Sequence, residues 1–234
     1  MAGAYFTRVS AINRRRNPPK LLTIAARLAF ALGAIASGIA GCEETFDGPP
    51  EILPVQFELG ADATSPPTLV PIADRDTVSL TRPIQGGHVL FIGARVRNIS
   101  DKGASVLGEL RRSKGPDGAP LTQPGGVLYS DERSVTVEQL ADGWKQVVAS
   151  PNDMANIPGC PNPLDVDIVD NPLFLVVRYT DGKGRTATAT RAVTPRCLDA
   201  DEAARRSCVC ECQARYTVDR CTGLPNPDGG APDM

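Results

Sequence analysis

Hydrophobic positions in this chain alternate with a period of two over much of its length, and short polar, Gly- or Pro-containing breaks separate the runs. Such alternation sends successive side chains to opposite faces, the mark of half-buried β-strands. Ile52–Leu59, Thr68–Ile72 and Thr77–Thr81 read as short strands. Gln85-Gly86-Gly87 then turns the chain into the strongest one, His88–Asn98. There Leu90, Ile92, Ala94 and Val96 share one face, while the other passes from Val89 and Phe91 to Arg95 and Arg97. That pattern predicts a strand buried at its start and solvated on one face at its end. Ser105–Leu110, Ser134–Leu140 and Lys145–Ala149 continue the series. Leu173–Thr180, the turn Asp181-Gly182-Lys183-Gly184 and Arg185–Val193 make the clearest hairpin. The expectation is an all-β fold, an immunoglobulin-like β-sandwich over residues 51–196, with a barrel or jelly roll as the alternative. Lys114–Gly126 and Ser150–Pro163 read as long Gly/Pro/Asn loops, either padding or the place where a sandwich carries a binding surface.

The two ends of the chain break this pattern. Arg14-Arg15-Arg16 and Lys20 precede an apolar run, Leu28–Ala40, whose 13 residues are too few to cross a hydrocarbon core of ~30 Å. The run closes on Ile39-Ala40-Gly41-Cys42, which resembles the bacterial lipobox: an aliphatic residue, two small ones, then cysteine. The resemblance implies that residues 1–41 are a lipoprotein signal peptide and that Cys42 is the lipidated residue. Several acyl chains on one residue give stable anchoring where one would not. Glu43, rather than aspartate, follows Cys42, which by the same resemblance implies an outer-membrane destination. Residues 42–50 read as a tether.

After Cys197 the pattern changes again. Leu198–Ser207 has helical composition, acids first and arginines last, as a helix dipole favours. Residues 197–221 form a cysteine-rich segment, and residues 222–234 lack apolar periodicity and read as a disordered tail. Setting Cys42 aside leaves Cys160, Cys197, Cys208, Cys210, Cys212 and Cys221. Six cysteines in an exported protein read as disulfides with 15 connectivities. If Cys208-Val209-Cys210-Glu211-Cys212 is extended, the trio would pair with the other three cysteines, leaving six connectivities. If it is helical, a Cys208–Cys212 bridge becomes possible and that restriction fails. The competing expectation is a metal or redox cluster built on Cys208, Cys210, Cys212 and Cys221.

Charge and motifs narrow the function. Residues 1–41 hold six of the 25 basic residues and none of the 27 acidic ones, so the remainder carries a net charge of about −8. That balance argues against a nucleic-acid binder. With 22 Gly, 21 Pro and 5% aromatics, a helical bundle is also disfavoured. No nucleophile elbow, metalloprotease helix, P-loop or dinucleotide fingerprint occurs, and the expectation is a non-enzyme without a cofactor. The single histidine, His88, reads as a satisfied residue at the rim of a strand. Asp165, Asp167 and Asp170 superficially suggest a calcium loop, but Asp170 stands where that loop needs glycine, and a strand running into a turn is expected instead. Trp144 reads as core packing.

Phe57–Asn98 resembles a set of lipoproteins of myxobacterial type. The resemblance is carried by Glu58-Leu59-Gly60, by Pro71-Ile72-Ala73-Asp74-Arg75-Asp76 and by Gln85-Gly86-Gly87-His88. It implies an exported β-domain on a lipid anchor and brings no activity or catalytic residue with it. The functional expectation is a lipid-anchored cell-envelope protein, held to the membrane through Cys42, that presents its β-sandwich to a protein or glycan partner. The alternative is a metal-handling or redox lipoprotein using the C-terminal cysteines.

Overall fold

The computed structural model describes residues 44–58, 67–83 and 85–221. Cys42, Leu59, Gly60 and the tail after Cys221 lie outside the described residues, so the expectations that fall on them are not addressed by it. Among the described residues eleven strands form the body: β1 (Glu51–Glu58), β2 (Thr68–Pro71), β3 (Asp76–Leu80), β4 (His88–Arg97), β5 (Ser105–Arg111), β6 (Val127–Ser134), β7 (Val137–Gln139), β8 (Lys145–Val147), β9 (Ala155–Cys160), β10 (Leu173–Thr180) and β11 (Thr186–Cys197). One helix, α1 (Glu202–Glu211), and a 3₁₀ turn, Val218–Cys221, follow. The strands make two sheets. One runs β2-β1-β4-β8-β7, with β9 also paired to β4; the other runs β3-β11-β10-β5-β6. All pairs are antiparallel except β3 with β11. The fold is therefore all-β with two sheets, as the alternation predicts.

β4 behaves as its pattern requires. Leu90, Ile92, Ala94 and Val96 are buried in the common core with Val106, Leu110, Leu175 and Val177, while Arg97 at the far end is exposed. Two strands escape sequence reading. β6 is largely exposed and carries Asp131, Glu132 and Arg133, so a sheet-edge position rather than a hydrophobic face makes it a strand. β9 contains Pro158 and Gly159, which read as loop residues. It pairs only with β4, so its other edge needs no proline N–H. Thus Ser150–Pro163 is a short loop followed by a core strand, and Ser134–Leu140 shrinks to the three residues of β7.

The Gln85-Gly86-Gly87 turn has a structural cause. Gly86 and Gly87 both sit at positive φ, and a Cβ on Gly87 would lie 2.5 Å from the Cys160 carbonyl oxygen. Backbone of β9 therefore passes directly against the turn that starts β4. Gly87→Ala is expected to destabilise the protein by about 2 kcal/mol, from left-handed strain plus overpacking. Chemical denaturation measures it; a stability equal to wild type would show that the turn relaxes freely. Asp74 and Asp76 are structural too. Asp74 Oδ1 accepts the Ala192 N–H at 2.9 Å, and Asp76 Oδ2 accepts that of Ala73 at 2.7 Å, which steers β3 in beside β11.

The β10–β11 hairpin is closed by a buried carboxylate. Asp181 accepts from the Lys183 and Arg185 N–H groups and from Arg185 Nε, each at 2.9 Å. Burial pushes this carboxyl up, but the Arg185 backbone and guanidinium and the Lys183 N–H outweigh it and hold the group below its ordinary range. Its folded pKa is depressed, so it adds stability above the unfolded value of 3.8, and that stability is lost as pH falls through the folded value. Asp181→Asn is expected to lose about 2 kcal/mol at neutral pH. It should also flatten the fall of Tm with acid below about pH 4; parallel Tm-against-pH curves for variant and wild type would contradict this.

Residues 44–50, expected as a tether, make contacts of their own. The Phe46 ring lies 4.1 Å from the Arg185 guanidinium carbon, and Asn98 Nδ2 donates to the Pro49 carbonyl at 3.2 Å. Trp144, expected in the core, is instead half-buried on a loop with the Arg97 guanidinium 4.9 Å from its ring. A cation stacked on an indole keeps that residue partly solvated.

Candidate functional site

Both sheets end at one corner, and each delivers a cysteine there. β9 ends at Cys160, paired in register with His88 at the start of β4. β11 ends at Cys197, beside Leu80 of β3. α1 supplies the partners. Asp201 caps it, its side chain accepting the Ala204 N–H at 2.7 Å, so the helix begins after the expected Leu198 and runs through the cysteines. Cys208 and Cys212 lie one turn apart on its buried side. The pairs are Cys160–Cys212, Cys197–Cys208 and Cys210–Cys221, with Cα separations of 4.7, 5.9 and 6.0 Å. The trio does pair with the other three cysteines, though through a helix rather than a strand. The Cys208 and Cys212 sulfurs approach to 3.9 Å without bonding to each other, which stacks two disulfides side by side. Cys210 faces the other way and holds the 3₁₀ turn.

The cysteine-rich segment is built into the core, with Cys208 and Cys212 among its buried residues. Asn162, fully buried, is the joint. Its Oδ1 accepts from Tyr129 Oη and the Leu164 N–H, and its Nδ2 donates to the Val166 and Cys212 carbonyls at 2.8 and 3.1 Å. Its backbone N–H donates to the Glu211 carbonyl at 3.0 Å, and its carbonyl accepts the Tyr216 N–H at 2.9 Å. The Asp165–Asp170 stretch packs here as a turn rather than a strand. Asp165 pairs with Arg112, Asp167 accepts the Ala214 N–H and Asp170 pairs with Arg196, each at 2.8 Å. Its three aspartates thus serve three separate segments.

His88 is not a rim residue. It is 2% exposed, and its Nδ1 lies 3.4 Å from Glu211 Oε2. His88 holds the Glu211 carboxyl below its ordinary range against the opposing effect of burial, with the Ser207 hydroxyl and the charge of Arg82 assisting. A His88 ring nitrogen and the Cys160 and Cys212 sulfurs lie within 4.8 Å of one another. The same holds for His88, Asp199 and Cys208, and for Cys197, Cys208 and Cys212. Asp199 Oδ2 is buried without a hydrogen-bond partner. The corner therefore gathers an imidazole, two carboxylates and four sulfurs.

Near it lies a cleft of about 440 Å³, in the size range of small-ligand sites. Phe57 of β1 and Phe91 of β4 form its apolar floor, their ring centroids 5.6 Å apart and edge to face. Thr81, Gln85, Asn152 and Asn156 supply polar walls, and Asn156 Oδ1 is buried without a hydrogen-bond partner. The loop before β9, singled out in the sequence, contributes Pro151 and Asn152. The other such loop lines a smaller cleft of about 210 Å³ through Lys114, Gly115, Pro116 and Gly118. His88 and Asp199 joining the sulfurs, and the two phenylalanines meeting across strands, have no local sequence signal; pairing of β4 with β1 and β9 creates them.

No protein-family model, curated protein or solved structure matches this chain. Among the described residues, no helix is long and apolar enough to cross a membrane.

Proposed function

We propose that this chain is a non-enzymatic, lipid-anchored envelope protein of the myxobacterial lipoprotein type, held through Cys42 at the outer membrane and presenting its β-domain to a protein or glycan partner. The observation that carries the binding role is the Phe57–Phe91 cleft. It joins an aromatic floor to amide and hydroxyl walls, a combination that suits sugars and extended peptides alike. The lipobox-like Ile39-Ala40-Gly41-Cys42 carries the anchoring role. Strand order supports an immunoglobulin-like reading of the sandwich: β5, β10 and β11 stand as strands C, F and G, and β1, β4 and β9 as A, B and E. The cleft lies at the end of β1 remote from Glu44–Pro50.

A photoreactive residue placed in living cells at Asn152, in the cleft, and separately at Lys183, on the opposite hairpin, tests the binding role. A partner captured from Asn152 alone supports it. Equal capture from both positions, or none from either, overturns it. Cys42→Ala tests the anchor separately, since the variant should lose its acyl mass and leave the membrane fraction.

A further inference from the structure

We propose that reduction turns the corner between His88 and α1 into a binding site for a divalent cation of the zinc class, with Cys160, Cys208, Cys212 and His88 as ligands. This site is distinct from the Phe57–Phe91 cleft, and the inference stands whether or not the chain is lipid-anchored. It also differs from the sequence expectation, which grouped Cys208, Cys210, Cys212 and Cys221. Cys210 faces away from the corner, and the remote histidine takes its place.

Three observations carry it. First, two overlapping donor groups share His88. A ring nitrogen of His88 lies within 4.8 Å of the Cys160 and Cys212 sulfurs, and one lies within 4.8 Å of the Cys208 sulfur, which stands beside Cys212. Second, one sulfur pair has the spacing of a tetrahedral site. Zinc–sulfur bonds of ~2.3 Å set tetrahedral sulfurs about 3.8 Å apart, and the Cys208–Cys212 separation is 3.9 Å. Third, the corner holds a buried polar atom without a hydrogen-bond partner, Asp199 Oδ2, beside an imidazole that is only 2% exposed. Buried unsatisfied groups are uncommon in native proteins and call for a partner. In Asp199 and Glu211 the corner also holds carboxylates able to orient the imidazole, as metal-binding histidines require.

The disulfides gate the site, because the thiolate and not the disulfide sulfur is the metal ligand. Opening Cys160–Cys212 and Cys197–Cys208 takes two electrons and two protons each. A dithiol supplies both and closes to its own cyclic disulfide. Zinc then displaces one proton from each of three cysteine thiols and takes a lone pair from a ring nitrogen of His88. Cys197 is left as a free thiol. Zinc thus exchanges the two covalent links of α1 to the sheets for a single coordinated one.

The test uses the full chain in detergent, reduced without oxygen by a phosphine, which becomes its oxide with an oxygen from water. Native mass spectrometry should find one zinc per reduced chain and none on the oxidised chain. Cobalt(II) in place of zinc should give thiolate charge-transfer absorption. His88→Ala should weaken zinc binding at least tenfold, while Cys210→Ala with Cys221→Ala leaves it unchanged. X-ray absorption of the wild-type zinc form checks the same point without a variant: one nitrogen at ~2.0–2.1 Å beside sulfurs at ~2.3 Å supports the site. An all-sulfur coordination, a reduced chain that keeps its β-sheet circular dichroism without binding zinc, or one that loses it even with zinc present would each overturn the proposal.

Discussion

Replacing Cys160 and Cys212 together by alanine is expected to cost about 4 kcal/mol, the largest loss for any of the three crosslinks. The bond closes a loop with a sequence separation of 52, and the chain-entropy relation gives about 4 kcal/mol for that length. The other two bonds each span a separation of 11, for which the relation gives about 3 kcal/mol. Position widens the difference. Cys160–Cys212 joins β9 to the end of α1 within the core, whereas Cys210–Cys221 is half-buried and ties only the last 3₁₀ turn. Loss of the outer bond frays the end locally; loss of the inner one frees the end of α1 from β9, while Cys197–Cys208 still ties the helix to β11. Urea denaturation of the two double variants under oxidising conditions measures this. Equal midpoints would mean that loop length and burial do not set the order.

Asn162→Ala is expected to cost about 3 kcal/mol, and Asn162→Asp at least as much. The side chain is fully buried and serves two donors and two acceptors at once. Truncation strands the Val166 and Cys212 carbonyls, the Tyr129 hydroxyl and the Leu164 N–H in a place water reaches poorly, and buried groups left unpaired cost about 1–3 kcal/mol each. Aspartate keeps the shape and the Oδ1 contacts but points an oxygen at two carbonyl oxygens, so it must either repel them or hold a proton. Amide hydrogen exchange should then rise first in Leu164–Val169 and Cys212–Tyr216. A uniform rise across the sheets would mean that Asn162 supports the whole core rather than this joint.

The legible parts of the molecule were those where one physical cause acts locally. Period-two burial in β4 and the glycine turn of the β10–β11 hairpin are written in adjacent residues, and both elements stand where the pattern puts them. β9 was hidden because Pro158 and Gly159 mark loops in general, and only a strand with one free edge tolerates them. α1 was misplaced because its composition suits any start between Leu198 and Asp201; the cap at Asp201 and the two sheet-borne cysteines fix it. An extended Cys208–Cys212 segment would have set the cysteine partition, but the segment is helical. It reaches the same partition because sheet-borne Cys160 and Cys197 meet Cys212 and Cys208, while Cys210 meets Cys221. His88 was the least legible. Its parity with Leu90 and Ile92 foretold its face, but nothing near it in the chain foretold Glu211, Asp199 or the sulfurs.

The contacts of Glu44–Pro50 bear on how the domain answers a mechanical pull. The segment leads into β1 at Glu51, opposite Arg97 at the end of β4, and the Phe57–Phe91 cleft lies toward the other end of both strands. β4 is 10 residues long, so the two ends stand about 30 Å apart. If the domain were pulled between the cleft and Glu44, the tension would run along β1, close to its strand axis. The paired positions from Glu51–Arg97 to Gln56–Ile92 then share the load as a sheared lap joint instead of opening one after another like a zip. The Glu51–Arg97 ion pair, at 2.6 Å, sits at the loaded edge of that joint, where failure would start.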